Sequence, residues 1–272
     1  MLPLTSPLRL RERLLAAADG PRRVVHRGEH AVYVDLDGHL AGVVSARATR
    51  VPCALWSAAP TLPAVGITGD HAEVREGQLV LDGQRLRIAR LVDPRVRPLA
   101  GLRASGHRLS EAHLRAMLGL GPGLTPMGDD VVCGWLVARC AAGAPDAAVS
   151  AAVRRLAGRT TPLSATLLDC AARGEALPEL AAWLRAVAAS RSSASSTGIS
   201  ASSTGICASS AEMRASSAEA ALLAVGATSG AGLLTGARLA LALHPLPGRH
   251  PLSDRHPLSD RLVPTTHDRS VA

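Results

Sequence analysis

The chain has 272 residues, of which 47% are hydrophobic and 19% charged. That length admits one large domain or two modest ones of about 100–200 residues each, and the composition excludes a wholly disordered chain. The formal net charge of +8 invites a nucleic-acid reading, but the chain contains no Lys, Phe or Asn. All three have A/T-rich codons, so GC-rich coding explains both their absence and the Arg excess. The arginines are dispersed, and one Tyr and three Trp offer little surface for stacking bases. No nucleic-acid partner is expected.

No run nears the roughly 18–20 apolar residues that span a bilayer, so no membrane partner is expected. Arginines are scattered through the first twenty residues rather than placed ahead of an apolar run. That is not the layout of a signal peptide, and a cytoplasmic location is expected. Cys53, Cys133, Cys140, Cys170 and Cys207 form no CxxC pair. They read as small buried thiols rather than a disulfide framework or zinc site.

Residues 20–98 read as a strand-rich domain. Ala31–Leu36 and His39–Val44 flank Asp37-Gly38, and Leu79–Leu81 and Leu86–Ile88 flank Asp82-Gly83. Both dipeptides suit tight hairpin turns. Val51–Trp56 and Leu62–Thr68 are further apolar runs between turn residues. This spacing predicts a small β-barrel or sandwich.

Residues 99–243 read as an Ala-rich helical domain, which makes the fold class α+β. Ser110 is placed to cap a first helix. Helices are expected over 129–142, 147–156, 163–172, 179–188, 218–225 and 232–243. Within this domain 193–217 is low-complexity, with imperfect seven-residue repeats rich in Ser and Ala, and reads as a linker-like insertion whose last copy runs into the next helix. Residues 244–272 repeat RHPLSD in tandem, with His250 and His256. They read as a disordered tail.

The densest chemical signal is GLGPGLTPMGDD, Gly119–Asp130. Glycines let a backbone turn sharply and approach a ligand. A helix start offers unpaired N–H groups and partial positive charge, which suits an anion. The pattern is neither a Walker loop nor the dinucleotide fingerprint. Asp129 and Asp130 would repel a bare phosphate unless a divalent cation such as magnesium bridged them. They could instead grip an amide or ureido N–H, act as a base, or simply cap the helix and complement its dipole. His107 and His113 precede the loop and could reach it.

Two further hydroxyl-bearing helix starts carry Thr160 and Thr161, and Thr228, Ser229 and Gly230. The second loosely echoes the first: Gly134 corresponds to Gly236, and Asp130 to Gly232. Three such starts could converge on one ligand or be three ordinary caps. The candidate site is therefore Asp129 and Asp130 as catalytic or metal-holding groups, with Gly121, Gly123, Thr125, Gly128, Thr160, Thr161, Thr228, Ser229 and Gly230 contacting substrate. No clear nucleophile accompanies them.

The stretch Gly121-Pro122-Gly123-Leu124-Thr125-Pro126-Met127-Gly128-Asp129-Asp130, followed by Gly134, resembles the mark of the AllH-like family. TTPLSATLLDCAARGEA and GATSGAGLLTG are similar to later segments of that family. The resemblance covers about 20–243, outside the low-complexity stretches. It implies a role, with other carbamoyltransferase subunits, in moving a carbamoyl group between oxamate or oxalurate and phosphate, as in allantoin (purine) catabolism. Carbamoyl phosphate, oxamate or oxalurate would then be the small anionic substrate. A non-catalytic subunit that binds a small anion or acts as a scaffold is the alternative.

Overall fold

Three two-residue turns organise the first half of the chain in the computed structural model, which describes residues 3–196, 210–241 and 243. The chain opens with β1 (Leu4–Pro7), α1 (Leu8–Ala16), β2 (Gly20–Pro21) and β3 (Val24–Arg27). Then follow β4 (Ala31–Leu36), β5 (His39–Val44), β6 (Ala54–Trp56), β7 (Ala72–Arg75), β8 (Gln78–Leu81), β9 (Gln84–Arg85) and β10 (Ile88–Val92). Asp37-Gly38, Glu76-Gly77 and Asp82-Gly83 all have positive φ at both residues. That backbone matches the twist of paired strands, so each closes a tight antiparallel hairpin.

The strands form two sheets, ordered β10-β1-β6-β5-β4-β3 and β2-β7-β8-β9. The strand order of each is open, so the sheets are not closed into a barrel. Leu10 and Leu14 of α1 share one buried apolar cluster with Leu4, Val34, Leu36 and Leu55 of the larger sheet and Val74, Leu79 and Leu81 of the smaller.

Some expected strands shift or vanish. Residues 62–68 contain a 3-10 turn, Pro63–Val65, in place of a strand, because Pro63 has no N–H to give a ladder. The N–H groups of the next residues, Thr68 to His71, all point at the Asp82 carboxylate at 2.7–3.0 Å. Burial pushes that carboxyl up, but the four donors outweigh it and hold it at about 2. β8 pairs with Gln84–Arg85 rather than Leu86–Ile88, and the chain then crosses to lie parallel to β1.

The second half is helical and makes the protein α+β: α2 (Glu111–Met117), α3 (Met127–Ala141), α4 (Ala147–Arg155), α5 (Pro162–Ala171), α6 (Pro178–Ser196), α7 (Ser210–Leu223) and α8 (Ser229–Leu241). Ser110 caps α2, and its partner in a reciprocal capping box is His113. That contact occupies His113 at the start of α2. α6 and α7 extend into the Ser- and Ala-rich repeats, consistent with the high helix propensity of Ala. Residues 197–209, with Cys207, and the tail 244–272, with His250 and His256, lie outside the described residues. No helix among the described residues is long and apolar enough to cross a membrane.

α3 is almost wholly buried and crosses α8 at backbone contact. A Cβ on Gly134 would lie 2.0 Å from the Leu233 carbonyl oxygen, and one on Gly236 would lie 1.8 Å from that of Val131. The two contacts are reciprocal, as the sequence echo between the segments suggests. Gly232 lies against the Asp130 side chain, where its own Cβ would come within 2.8 Å of the Asp130 Cβ.

Candidate functional site

The Gly119–Asp130 loop enters α3 with no side-chain cap; Pro126 occupies the capping position. Gly119, Gly121 and Gly123 take positive φ, at 79°, 120° and 94°. Gly128 is in the helix and serves another purpose: a Cβ there would sit 2.0 Å from the Met117 carbonyl oxygen. So the first three glycines turn the chain, and the fourth lets α3 press against the end of α2.

The paired acids do different things. Asp129 is 1% exposed. It accepts the Gly119 N–H at 2.9 Å and, through its other oxygen, the Thr160 hydroxyl. Both oxygens are thereby committed to holding the loop and the entry to α5. Asp130 is 5% exposed, and its Oδ2 is buried without a hydrogen-bond partner. A buried unpaired polar atom is costly and asks for a reason. Burial pushes this carboxyl up to about 7, the nearby Asp129 adds to the rise, and a hydrogen bond with Ser229 opposes it.

Asp130 lines a cavity of about 260 Å³. Leu124, Thr125, Cys133 and Val137 from the loop and α3 also line it, as do Leu163, Leu167 and Ala171 from α5 and Ser229 and Leu233 from α8. The strand-rich half supplies His26, Tyr33, Val51 and Pro52, and Glu175 comes from the turn after α5. Leu124, one of the lining residues, is 46% exposed. The Thr125 and Ser229 hydroxyls are 3.0 Å apart. With Ser229 also bonded to Asp130, they form a short polar chain in a largely aliphatic wall. Burial pushes the Cys133 thiol well up, which leaves it protonated and a poor nucleophile at neutral pH.

The sequence-predicted residues divide accordingly. Thr125, Ser229 and Asp130 meet at the cavity. Thr160 turns to Asp129, while Thr161 caps α5 and donates to the Leu124 carbonyl at 2.6 Å. Thr228 is exposed, and its carbonyl accepts the Gly232 N–H at the start of α8. A Cβ on Gly230 would lie 2.0 Å from the Leu222 carbonyl oxygen, so that glycine lets α8 pack against α7. Gly121 and Gly123 are exposed on the loop. Among the described residues, no three His, Cys, Asp or Glu side chains are grouped to hold a metal ion.

Sequence reasoning missed His26, Tyr33 and Glu175 at the cavity, because they arrive from distant segments. It also missed Asp169 on α5. This carboxylate takes Arg154 at 3.1 Å, His39 at 3.0 Å and Arg9, with Arg173 and Arg13 further out. Burial works against its ionisation, but hydrogen bonds from His39, Arg9 and Arg154 hold it far below the usual carboxylate range. Arg9 also reaches Glu175 at 3.3 Å. The Leu40 N–H adds a bond to Thr166 at 3.0 Å, so β5 is stitched to α5 beside the cavity.

These features describe an α+β protein in which a glycine-rich loop and one under-bonded carboxyl close over a small, largely aliphatic cavity. Residues 117–205 match the model of a family described as oxamate carbamoyltransferase subunit AllH. The match takes in the loop, Asp129, Asp130, Thr160 and Thr161, and stops short of α8 and the strand-rich half. No curated protein and no solved structure matches the chain.

Proposed function

We propose that the chain is a subunit of a carbamoyltransferase complex that moves a carbamoyl group between oxamate or oxalurate and phosphate. The observation that carries this reading is Asp130, a buried carboxyl with one unpartnered oxygen on a residue that lines the cavity behind the family-matched loop. A carboxyl near neutrality suits proton transfer. In the direction from carbamoyl phosphate, the acceptor nitrogen attacks the carbamoyl carbon. The new C–N bond forms, the C–O bond to phosphate breaks, and the nitrogen's proton passes to Asp130. Asp129 positions the loop. Ser229, backed by Thr125, holds Asp130 in place, and the exposed Gly121–Gly123 loop would receive the departing anion. The strand-rich part, 20–98, and the helical part, 99–243, wall the site from two sides. The setting would be cytoplasmic purine catabolism.

The test is to assemble the chain with subunits encoded beside its gene and to follow carbamoyl phosphate consumption with oxamate. Activity that needs this chain and falls at least tenfold with Asp130→Asn supports the proposal. A complex that is equally active without the chain overturns it. A non-catalytic binding or scaffolding subunit is the second reading. It is favoured by the protonated Cys133, the only thiol among the described residues that line the cavity.

A further inference from the structure

One buried carboxylate gathers four arginines. Asp169 on α5 is faced by Arg9 and Arg13 of α1, Arg154 of α4 and Arg173 just beyond α5, with His39 of β5 alongside. Glu175 is the second acid here, and it accepts from Arg9 at 3.3 Å. Four guanidiniums thus share two carboxylates, which leaves positive charge in excess. Arg13 feels that excess: burial pushes its guanidinium down, Arg9 and Arg173 add to the fall, and Asp169 opposes it.

The outer ends of three of these arginines are free. Arg154 and Arg173 reach Asp169 through Nε, at 3.1 and 3.4 Å, and Arg13 stands off at 3.8 Å. None of the three makes another side-chain hydrogen bond among the described residues, and their side chains are 46%, 46% and 33% exposed. Each lies at or just beyond the C-terminal turn of its helix. The partial negative charge there tempers their mutual repulsion but occupies no Nη group. The gap beneath them, lined by Arg9, Arg13, His39, Cys53 and Cys170, is about 20 Å³, room for one water. A small anion finds no enclosure there and would rest on the open face. No Trp or Tyr among the described residues is exposed, so bases would find nothing to stack on.

We propose that the face formed by Arg13, Arg154 and Arg173 is a docking surface for an acidic segment of a protein partner, with Asp169 holding the three guanidiniums in place beneath it. A guanidinium takes a carboxylate through two parallel N–H donors. One exposed pair contributes little, so affinity requires several carboxylates tethered in one chain, each raising the effective concentration of the next. The surface uses residues that have no part in the carbamoyl-transfer reading, and its test requires no transfer.

The test is fluorescence anisotropy on the full chain, in dilute buffer of fixed ionic strength, with a labelled hexaglutamate peptide, its hexaglutamine counterpart and a labelled oligothymidine strand. Hexaglutamate should bind and hexaglutamine should not. Arg154→Gln combined with Arg173→Gln should weaken hexaglutamate by about tenfold. Arg103→Gln combined with Arg214→Gln removes the same charge from two exposed arginines, one before α2 and one on α7. That pair should change binding by less than about twofold. Where a melt shows the first pair to be unstable, Arg13→Gln repeats the measurement at a side chain that makes no hydrogen bond, with a loss of about threefold expected. Equal weakening by the two pairs would mean general charge attraction and overturns the proposal. So does a lack of hexaglutamate binding, and so does tighter binding of the oligothymidine strand. Complete displacement of hexaglutamate by inorganic phosphate at constant ionic strength would make this a small-ion site and overturns it as well.

Discussion

The Thr160 hydroxyl donates to the Asp129 carboxylate, and this one contact ties the entry of α5 to the first turn of α3. The other carboxylate oxygen holds the Gly119 N–H. Asp129→Ala strips both donors of their partner in a buried setting. It should cost about 2–3 kcal/mol, read as a lower urea midpoint at unchanged slope. Asp129→Asn should cost less, since its amide oxygen still accepts one bond. An unchanged midpoint in Asp129→Ala would show that the contact is dispensable.

Asp130 should leave a different trace, in the pH dependence of stability. Its folded carboxyl titrates near 7, above the value of about 3.9 expected when unfolded. Between those values the unfolded chain has released the proton and the folded chain still holds it. Stability therefore falls as pH rises from about 4 to 7, by on the order of 3–4 kcal/mol. Asp130→Asn removes this contribution. Relative to the wild type, the variant should gain stability steadily across that window. Parallel stability–pH curves for the two proteins would contradict the assignment.

Two loop glycines should respond unequally. Gly128→Ala places a methyl 2.0 Å from the Met117 carbonyl oxygen and should prevent normal packing of α3 on α2. Gly123→Ala meets nothing within 4 Å and pays only for φ at +94°, about 1–2 kcal/mol. Thermal melts should show a cooperative transition for the second variant and a greatly weakened one for the first. Equal melts would mean that the close approach is not a constraint.

Asp169→Ala should separate β5 and α1 from α5. It leaves Arg9 and His39 without their shared carboxylate, and a cost of about 2–3 kcal/mol is expected after allowing for the partial exposure of the arginines. The ionised carboxylate stabilises the fold at pH values above its unfolded titration, and that contribution is lost as pH falls below about 4. In Asp169→Asn the acid side of the stability curve should be flatter. Chemical denaturation between pH 3 and 6 would measure it.

Local signals in the sequence carried far. Asp37-Gly38 and Asp82-Gly83 announce their hairpins because both residues of such turns need positive φ. Ser110 announces α2 because a hydroxyl just before a helix has one obvious use. The opening β1–α1 pair was not legible: it joins at Pro7, and its strand is recognisable only between β6 and β10, far along the chain. Adjacency also concealed the contrast between Asp129 and Asp130. One residue apart on a helix, they point to different neighbours, and only the positions of Thr160 and the cavity tell them apart. The arginines around Asp169 read as dispersed because three separate segments, α1, α4 and the end of α5, must fold before they meet.

The reciprocal glycine contacts between α3 and α8 have a bearing on how ligand size is set. Asp130, Cys133 and Val137 stand on one of these helices, and Ser229 and Leu233 on the other. The gap between those two walls is gauged by Gly134 and Gly236, which touch no ligand. Trimming a lining side chain adds room at one spot but leaves the spacing of the walls unchanged. Moving the walls apart requires a methyl at the crossing, and each glycine is seated against the backbone beside the other. Selectivity for molecular length would therefore change in steps, through paired substitutions at the crossing, rather than drift one contact at a time.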